Sequence, residues 1–211
     1  MALGTHLDRD KLRAAVLHVV QSCPPDRLGA VKLHKVLFYA DMLNFINTGD
    51  ALTGATYRKR PFGPTCDAAL FAVNELAQTG EIEIRDVDYY GYRKKEFIPV
   101  NNVETNHLSE GEKSLLTSMI NFVCIDNSAK SISEFSHDLP WEMVGFGDPI
   151  PYHSAFHLIP VIIPPEAHEW AEAEGRALED QGLGIEAAEA VAGTDSGVIR
   201  ARMVEALGRT L

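Results

Sequence analysis

Lys35 and Tyr39 stand four residues apart, one turn of a helix, and the basic triplet Arg58-Lys59-Arg60 leads into a Phe62-Gly63-Pro64 turn. An ammonium, a phenol and an aromatic carried on a turn are groups that grip another polypeptide, the polar atoms on its backbone and the ring as an anchor. The same residues also serve a fold, since Gly63 and Pro64 set a turn and Tyr39 can pack as an amphipathic core aromatic. His137 and Trp141, again four apart, carry the same two readings: an interface anchor or a lid on the core. Lys59 joins the first set as a cation able to meet an acidic partner.

Other chemistry finds no pattern. His153 and His157 have the i, i+4 spacing of a helical metal pair, but no Glu lies between them to complete HExxH, and no cysteine or carboxylate cluster supplies further ligands. Phosphate-cradling glycine loops and a G-x-S-x-G elbow are absent from the sequence. The reading is therefore a protein without catalysis, metal or cofactor. An unrecognised hydrolase is the weakest alternative, one that a deep pocket with clustered carboxylates or histidines would revive. Cys23, Cys66 and Cys124 are far apart with no CxxC pair, which indicates neither a disulfide framework nor a zinc ribbon and fits a reducing cytoplasm.

The chain has 211 residues, 45% of them hydrophobic and 23% charged, the composition of a globular protein. Its richest apolar run, Leu158 to Pro165, is too short for a membrane span, and the first ten residues lack a signal-peptide pattern. Residues 1–107 balance 13 Lys+Arg against 13 Asp+Glu, whereas 108–211 hold 6 against 17, so all of the −11 net charge falls in the second half. An acidic half repels a phosphate backbone and steers a basic protein partner, unless it is simply a solvated surface. The best case for nucleic acid is Arg93-Lys94-Lys95, placed where the wing of a winged helix touches DNA; but it and Arg58-Lys59-Arg60 are balanced by equal acidic charge in the same half, which favours solvated edges, or contact with an acidic partner, over DNA.

These groups need elements to position them. Asp8 caps a first helix whose stripe is Leu12, Ala15, Val16, Val19, Val20 and Cys23, ended by Pro24-Pro25. Gly29 opens a second helix with Leu33, Val36, Leu37, Ala40 and Leu43 on one face and Lys32, Lys35 and Tyr39 on another. A short strand is expected at Thr56 to Arg60. Thr65 then caps a third helix burying Leu70, Val73, Leu76 and Ala77, stopped by Gly80. Ile82 and Ile84 begin a strand that pairs antiparallel with Glu96 to Val100. Ser109 and Glu112 form a capping box for a fourth helix. A fifth runs from Ala129 to His137 with a second box at Ser131 and Glu134, and Asp138-Leu139-Pro140-Trp141 breaks it. Residues 145–164 read as an irregular connection. Pro165 to Leu178 and a last segment around Val198 to Leu207 read as helices.

Three blocks then carry a family pattern: Lys32-Leu33-His34-Lys35-Val36-Leu37-Phe38-Tyr39-Ala40-Asp41; Gly54, Tyr57, Lys59 and Phe62-Gly63-Pro64; and Ser136-His137 with Pro140-Trp141. In order and spacing the chain resembles a Panacea domain, the module of SocA-like antitoxins in bacterial and phage toxin–antitoxin pairs. The resemblance implies an α+β fold, mostly helical with a small antiparallel hairpin. It implies a non-catalytic partner that binds and neutralises a cognate protein toxin encoded nearby. Some such antitoxins act as proteolytic adaptors to a Clp-type protease, and others block the toxin by binding alone. Family members with a DNA-binding domain in front differ from this chain, which has only about ten residues before its first helix, so autorepression through such a domain is not expected. The expected division is a Panacea-like domain over 1–164 and an acidic helical extension over 165–211. Lys35, Tyr39, Lys59, Phe62, Gly63, Pro64, His137 and Trp141 are the expected partner-binding residues. Homo-oligomerisation stays open, and a winged-helix-like DNA-binding regulator is the rival function.

Overall fold

The computed structural model describes residues 6–89, 91–158, 173 and 176, and its described core belongs to one unit. Asp8 caps α1 (Arg9–Ser22) as expected, its carboxylate accepting the Lys11 N–H at 2.9 Å. The expected stripe is buried, and Ala14 and Leu17 widen it, because α1 packs against α2, α3 and α4 together. At the N-terminus of α1, Lys11 Nζ reaches Glu112 at 2.6 Å and ties α1 to α4.

The helix α2 (Ala30–Thr48) departs from the two-faced reading. Every residue from Lys32 to Leu43 is buried, so this is a central helix rather than an amphipathic one. Lys32, Lys35 and Tyr39 therefore lie inside the protein, where each cation needs a carbonyl partner. Lys32 Nζ donates to the carbonyls of Cys124 at 3.0 Å and Asn127 at 2.7 Å.

No regular strand forms at Thr56 to Arg60; Arg58 makes single bridges to Thr65 and to Pro149. The helix α3 (Asp67–Gln78) starts one residue later than Thr65 implies. Cys66 occupies the cap without a side-chain bond, while the Thr65 hydroxyl donates to the Gly63 carbonyl at 3.2 Å. Leu70 is half exposed rather than core, because the packed face of α3 runs through Ala69, Ala72, Val73 and Leu76. The hairpin is longer than expected, β1 (Ile82–Tyr89) pairing with β2 (Tyr92–Pro99) in a register that sets Ile84 against Phe97.

The Ser109 and Glu112 capping box is present on α4 (Glu110–Ile120). The helix does not end there but widens into a π turn, Asn121–Ile125, closed by the Asp126 N–H on the Asn121 carbonyl at 3.0 Å. The next box belongs to Ser128 and Ser131, not Ser131 and Glu134, and α5 (Ala129–Phe135) stops two residues short of His137. Asp138 begins a new helix, α6 (Leu139–Glu142), with Pro140 in its first turn, where the missing N–H costs nothing. A 3₁₀ segment, Tyr152–Leu158, lies within the stretch expected to be irregular. The fold is thus α+β, mostly helical with one antiparallel hairpin. The helices expected beyond Pro165 lie outside the described residues, apart from helical Ala173 and Arg176.

Candidate functional site

The long loop between α2 and α3 hangs from α2 by two buried groups. At one end Asp41 is fully buried and accepts from the Thr53 N–H (2.6 Å), the Thr53 hydroxyl (2.6 Å) and the Tyr57 hydroxyl (2.7 Å). Burial raises its pKa despite those three donors. At the other end Lys35 Nζ, in a side chain only 1% exposed, donates to the Pro64 carbonyl at 3.0 Å. Burial lowers the Lys35 pKa to about 7, a shift that the nearby Asp138 carboxylate opposes.

Gly63 is required here for two reasons. Its φ of +88° disfavours any side chain, and a Cβ would stand 2.1 Å from Ser136 Oγ and 2.5 Å from Lys35 Nζ. Ser136 Oγ itself donates to the Ser133 carbonyl at 2.8 Å. Tyr39 is wholly buried among the rings of Phe38, Phe122 and Phe135, and its hydroxyl has no hydrogen-bond partner among the described residues. Burial and then Asp138 hold that phenol well above its ordinary pKa, so it stays neutral.

Trp141 lies between two other motif residues. The His137 ring stacks on it with centroids 4.1 Å apart, and Lys59 Nζ sits 4.0 Å from the indole centroid. The indole N–H donates to the Arg60 carbonyl at 3.2 Å, and Lys59 Nζ donates to the Val144 carbonyl at 3.0 Å. Burial, then Lys35, lowers the His137 pKa. Backbone bonds of 3.0 Å, from Lys59 N–H to Asp148 and from Gly147 N–H to Lys59, fasten residues 147–148 to the same segment.

The structure thus brings the expected residues together but sorts them by depth. Lys35, Tyr39, Gly63 and Pro64 are interior; Lys59, His137 and Trp141 are half-buried; Phe62 alone is open, at 67% exposure. The segments tied to Lys59 and Arg60 expose three more large apolar side chains, Leu139, Met143 and Phe146. These three lie in a stretch that sequence reasoning treated as a break and a connection. Their signal was an apolar content too high for a solvated loop. Asp41, Ser136 and Asp138 were also missed as working parts of the cluster.

The arrangement fastens the loop and the 136–148 segment to α2. A groove of about 320 Å³ is lined by residues such as Phe45, Thr56, Ile150 and Tyr152 and by none of the Lys35 cluster. His153 and His157 ride the 3₁₀ segment, where three residues make a turn and i, i+4 side chains diverge. Among the described residues no group of three His, Cys, Asp or Glu is placed to hold a metal, and no helix is long and apolar enough to cross a membrane. In the hairpin, Arg93 and Lys95 lie directly opposite Asp88 and Asp86, so the basic triplet behind the rival winged-helix reading faces acidic residues across the strands.

Fold and cluster together define a mostly helical module whose interior polar residues anchor the loop between α2 and α3. The family model described as antitoxin SocA-like, Panacea domain, matches residues 33–142, just over half of the chain, and the chain belongs to that family. Membership points to an antitoxin-like role and to protein–protein interaction. No curated protein and no solved structure gives a match.

Proposed function

We propose that this chain is an antitoxin that binds a cognate protein toxin, encoded in a neighbouring reading frame, and neutralises it by covering its working surface. The observation that supports this reading is the set of four exposed apolar side chains, Phe62, Leu139, Met143 and Phe146, on segments fastened by the Lys35, Gly63 and Trp141 contacts. An interface of standard size buries about 1,600 Å² and draws most of its affinity from a few such anchors. Immobilising them beforehand lowers the entropy lost on binding. Lys35, Tyr39, Gly63 and Pro64 serve the interface from below, and Lys59, His137 and Trp141 form its half-buried floor.

Co-expression with the neighbouring reading frame tests the proposal. Growth arrest by that frame alone and rescue by this chain are expected. Phe62→Ser combined with Phe146→Ser abolishes rescue, whereas Phe71→Ser, an equally exposed ring on α3, leaves it intact. Rescue that survives the double substitution refutes the surface assignment. Residues 165–211 are proposed as an acidic extension that steers or contacts the toxin. Their deletion then slows association at low salt and less so at high salt. Delivery to a Clp-type protease is the finer alternative to plain sequestration, and it predicts a shortened toxin half-life when antitoxin, toxin and protease are mixed.

A further inference from the structure

The three cations of the 58–60 segment have different fates. Arg58 donates through Nη1 to the Gly147 carbonyl at 3.1 Å, and Lys59 is held by the Val144 carbonyl and the indole of Trp141. The Arg60 side chain is half-buried, yet it makes no hydrogen bond, ion pair or ring contact among the described residues. Its backbone, by contrast, is fixed twice. The Arg60 carbonyl accepts the Gly63 N–H at 2.9 Å, closing a turn with Pro61 and Phe62 at its tip, and it accepts the Trp141 indole N–H at 3.2 Å. The guanidinium therefore stands on an immobilised stub that joins the Phe62 turn to α6, the helix that exposes Leu139 and Met143.

Such an arginine has a definite complement. Its planar fork of N–H donors matches a carboxylate through two parallel hydrogen bonds, and arginine is among the residue types that anchor interfaces. Only its side-chain rotamers remain to be ordered when a partner arrives. The surroundings narrow the complement further. Glu142 and Asp148 are exposed on the segments tied to 58–60, and the chain carries a net −11, so a broadly acidic partner is repelled. What fits is an apolar partner surface with one carboxylate in it, the apolar part covering Phe62 and its neighbours and removing water from the ion pair.

We propose that Arg60 is the charged anchor of the toxin-binding face, and that the toxin meets it with a single Asp or Glu side chain set in an otherwise apolar patch. This inference rests on the antitoxin reading above and supplies the partner chemistry which that reading leaves open.

The test uses the full chain and the product of the neighbouring reading frame, separated from their co-expressed complex and titrated against each other in a calorimeter. Arg60→Ala weakens binding about 30-fold or more, and Arg60→Glu loses both binding and growth rescue. Arg60→Lys, which keeps the charge and loses the fork, falls between Arg60→Ala and the unsubstituted chain. The Arg60→Ala ratio persists at high salt, because a desolvated pair is screened little, and Arg85→Ala, in a hairpin arginine paired with Glu83, changes nothing. Arg60→Ala melts at the temperature of the unsubstituted chain, since the side chain holds nothing in the fold. Among toxin variants with each surface Asp or Glu replaced in turn by Arg, one recovers binding to Arg60→Glu. Unchanged affinity in Arg60→Ala, or a full set of toxin variants none of which recovers binding, overturns the inference, and leaves the antitoxin reading standing where binding still depends on Phe62 and Phe146. A neighbouring product that neither arrests growth nor binds this chain overturns both.

Discussion

Replacing Lys35 by Met keeps the length of the side chain and removes its proton, and the consequence is a change in how stability responds to pH. The Lys35 pKa is about 7 in the folded chain against 10.5 ordinarily, so between those values the unfolded chain binds more protons. Stability therefore rises with pH across this window, and below it the penalty for burying the ammonium is fully present. At 1.36 kcal/mol per pKa unit the full penalty is about 5 kcal/mol, most of which is relieved between pH 7 and pH 10. Lys35→Met escapes the penalty but leaves the Pro64 carbonyl without its donor, a loss of about 1–3 kcal/mol that does not vary with pH. Urea denaturation of both proteins at several pH values, read as a difference, cancels the titrating groups that Lys35 does not shift; those it does shift, His34 and His137, are held below their ordinary values and so titrate below this window. The unsubstituted chain should gain on the variant by about 3 kcal/mol over that range, as pH rises. A difference that is flat with pH, or that shrinks as pH rises as a strong ion pair with Asp138 would make it, refutes the reasoning.

Three further outcomes follow from the same geometry. Gly63→Ala forces a left-handed backbone on a side chain and presses on Lys35 and Ser136, so thermal or urea unfolding should show a loss of about 2–4 kcal/mol. Tyr57→Phe removes one of the three donors to the buried Asp41 carboxylate and should cost about 1.5–3 kcal/mol in the same assay, with the helical circular dichroism unchanged. Trp141→Ala empties the space between His137 and Lys59; it should lower both stability and toxin affinity, whereas Phe62→Ser lowers affinity alone, as calorimetric titration and melting together will distinguish.

The elements most legible in the sequence were those whose signals are local. Asp8 before α1, the Ser109 and Glu112 box before α4 and the alternation at Ile82 and Ile84 each depend on neighbours within a few residues, and each appears where expected. Caps failed where two candidates stood close together: Cys66 replaced Thr65, and Ser128 with Ser131 replaced Ser131 with Glu134. The larger misreading was α2. Lysines default to the surface because an unpaired buried ammonium is costly. Lys32 and Lys35 escape that rule through carbonyls 92 and 29 residues away, which no local pattern reveals. The motif blocks were legible as spacing, and the fold sets their residues on adjoining segments; their division into interior and exposed members needed the fold.

The all-round burial of α2 also bears on how the chain is made. Its covering layers come from both directions, α1 from before it and α4, the π turn, α5 and the 3₁₀ segment from after. At synthesis rates of about 5–20 residues per second, the stretch from Thr48 to Leu158 takes roughly 5–20 s to emerge from the ribosome. Through that interval α1 is the covering layer already made, and the rest of α2 waits for elements still to come, which makes the nascent chain a natural client for a ribosome-associated chaperone.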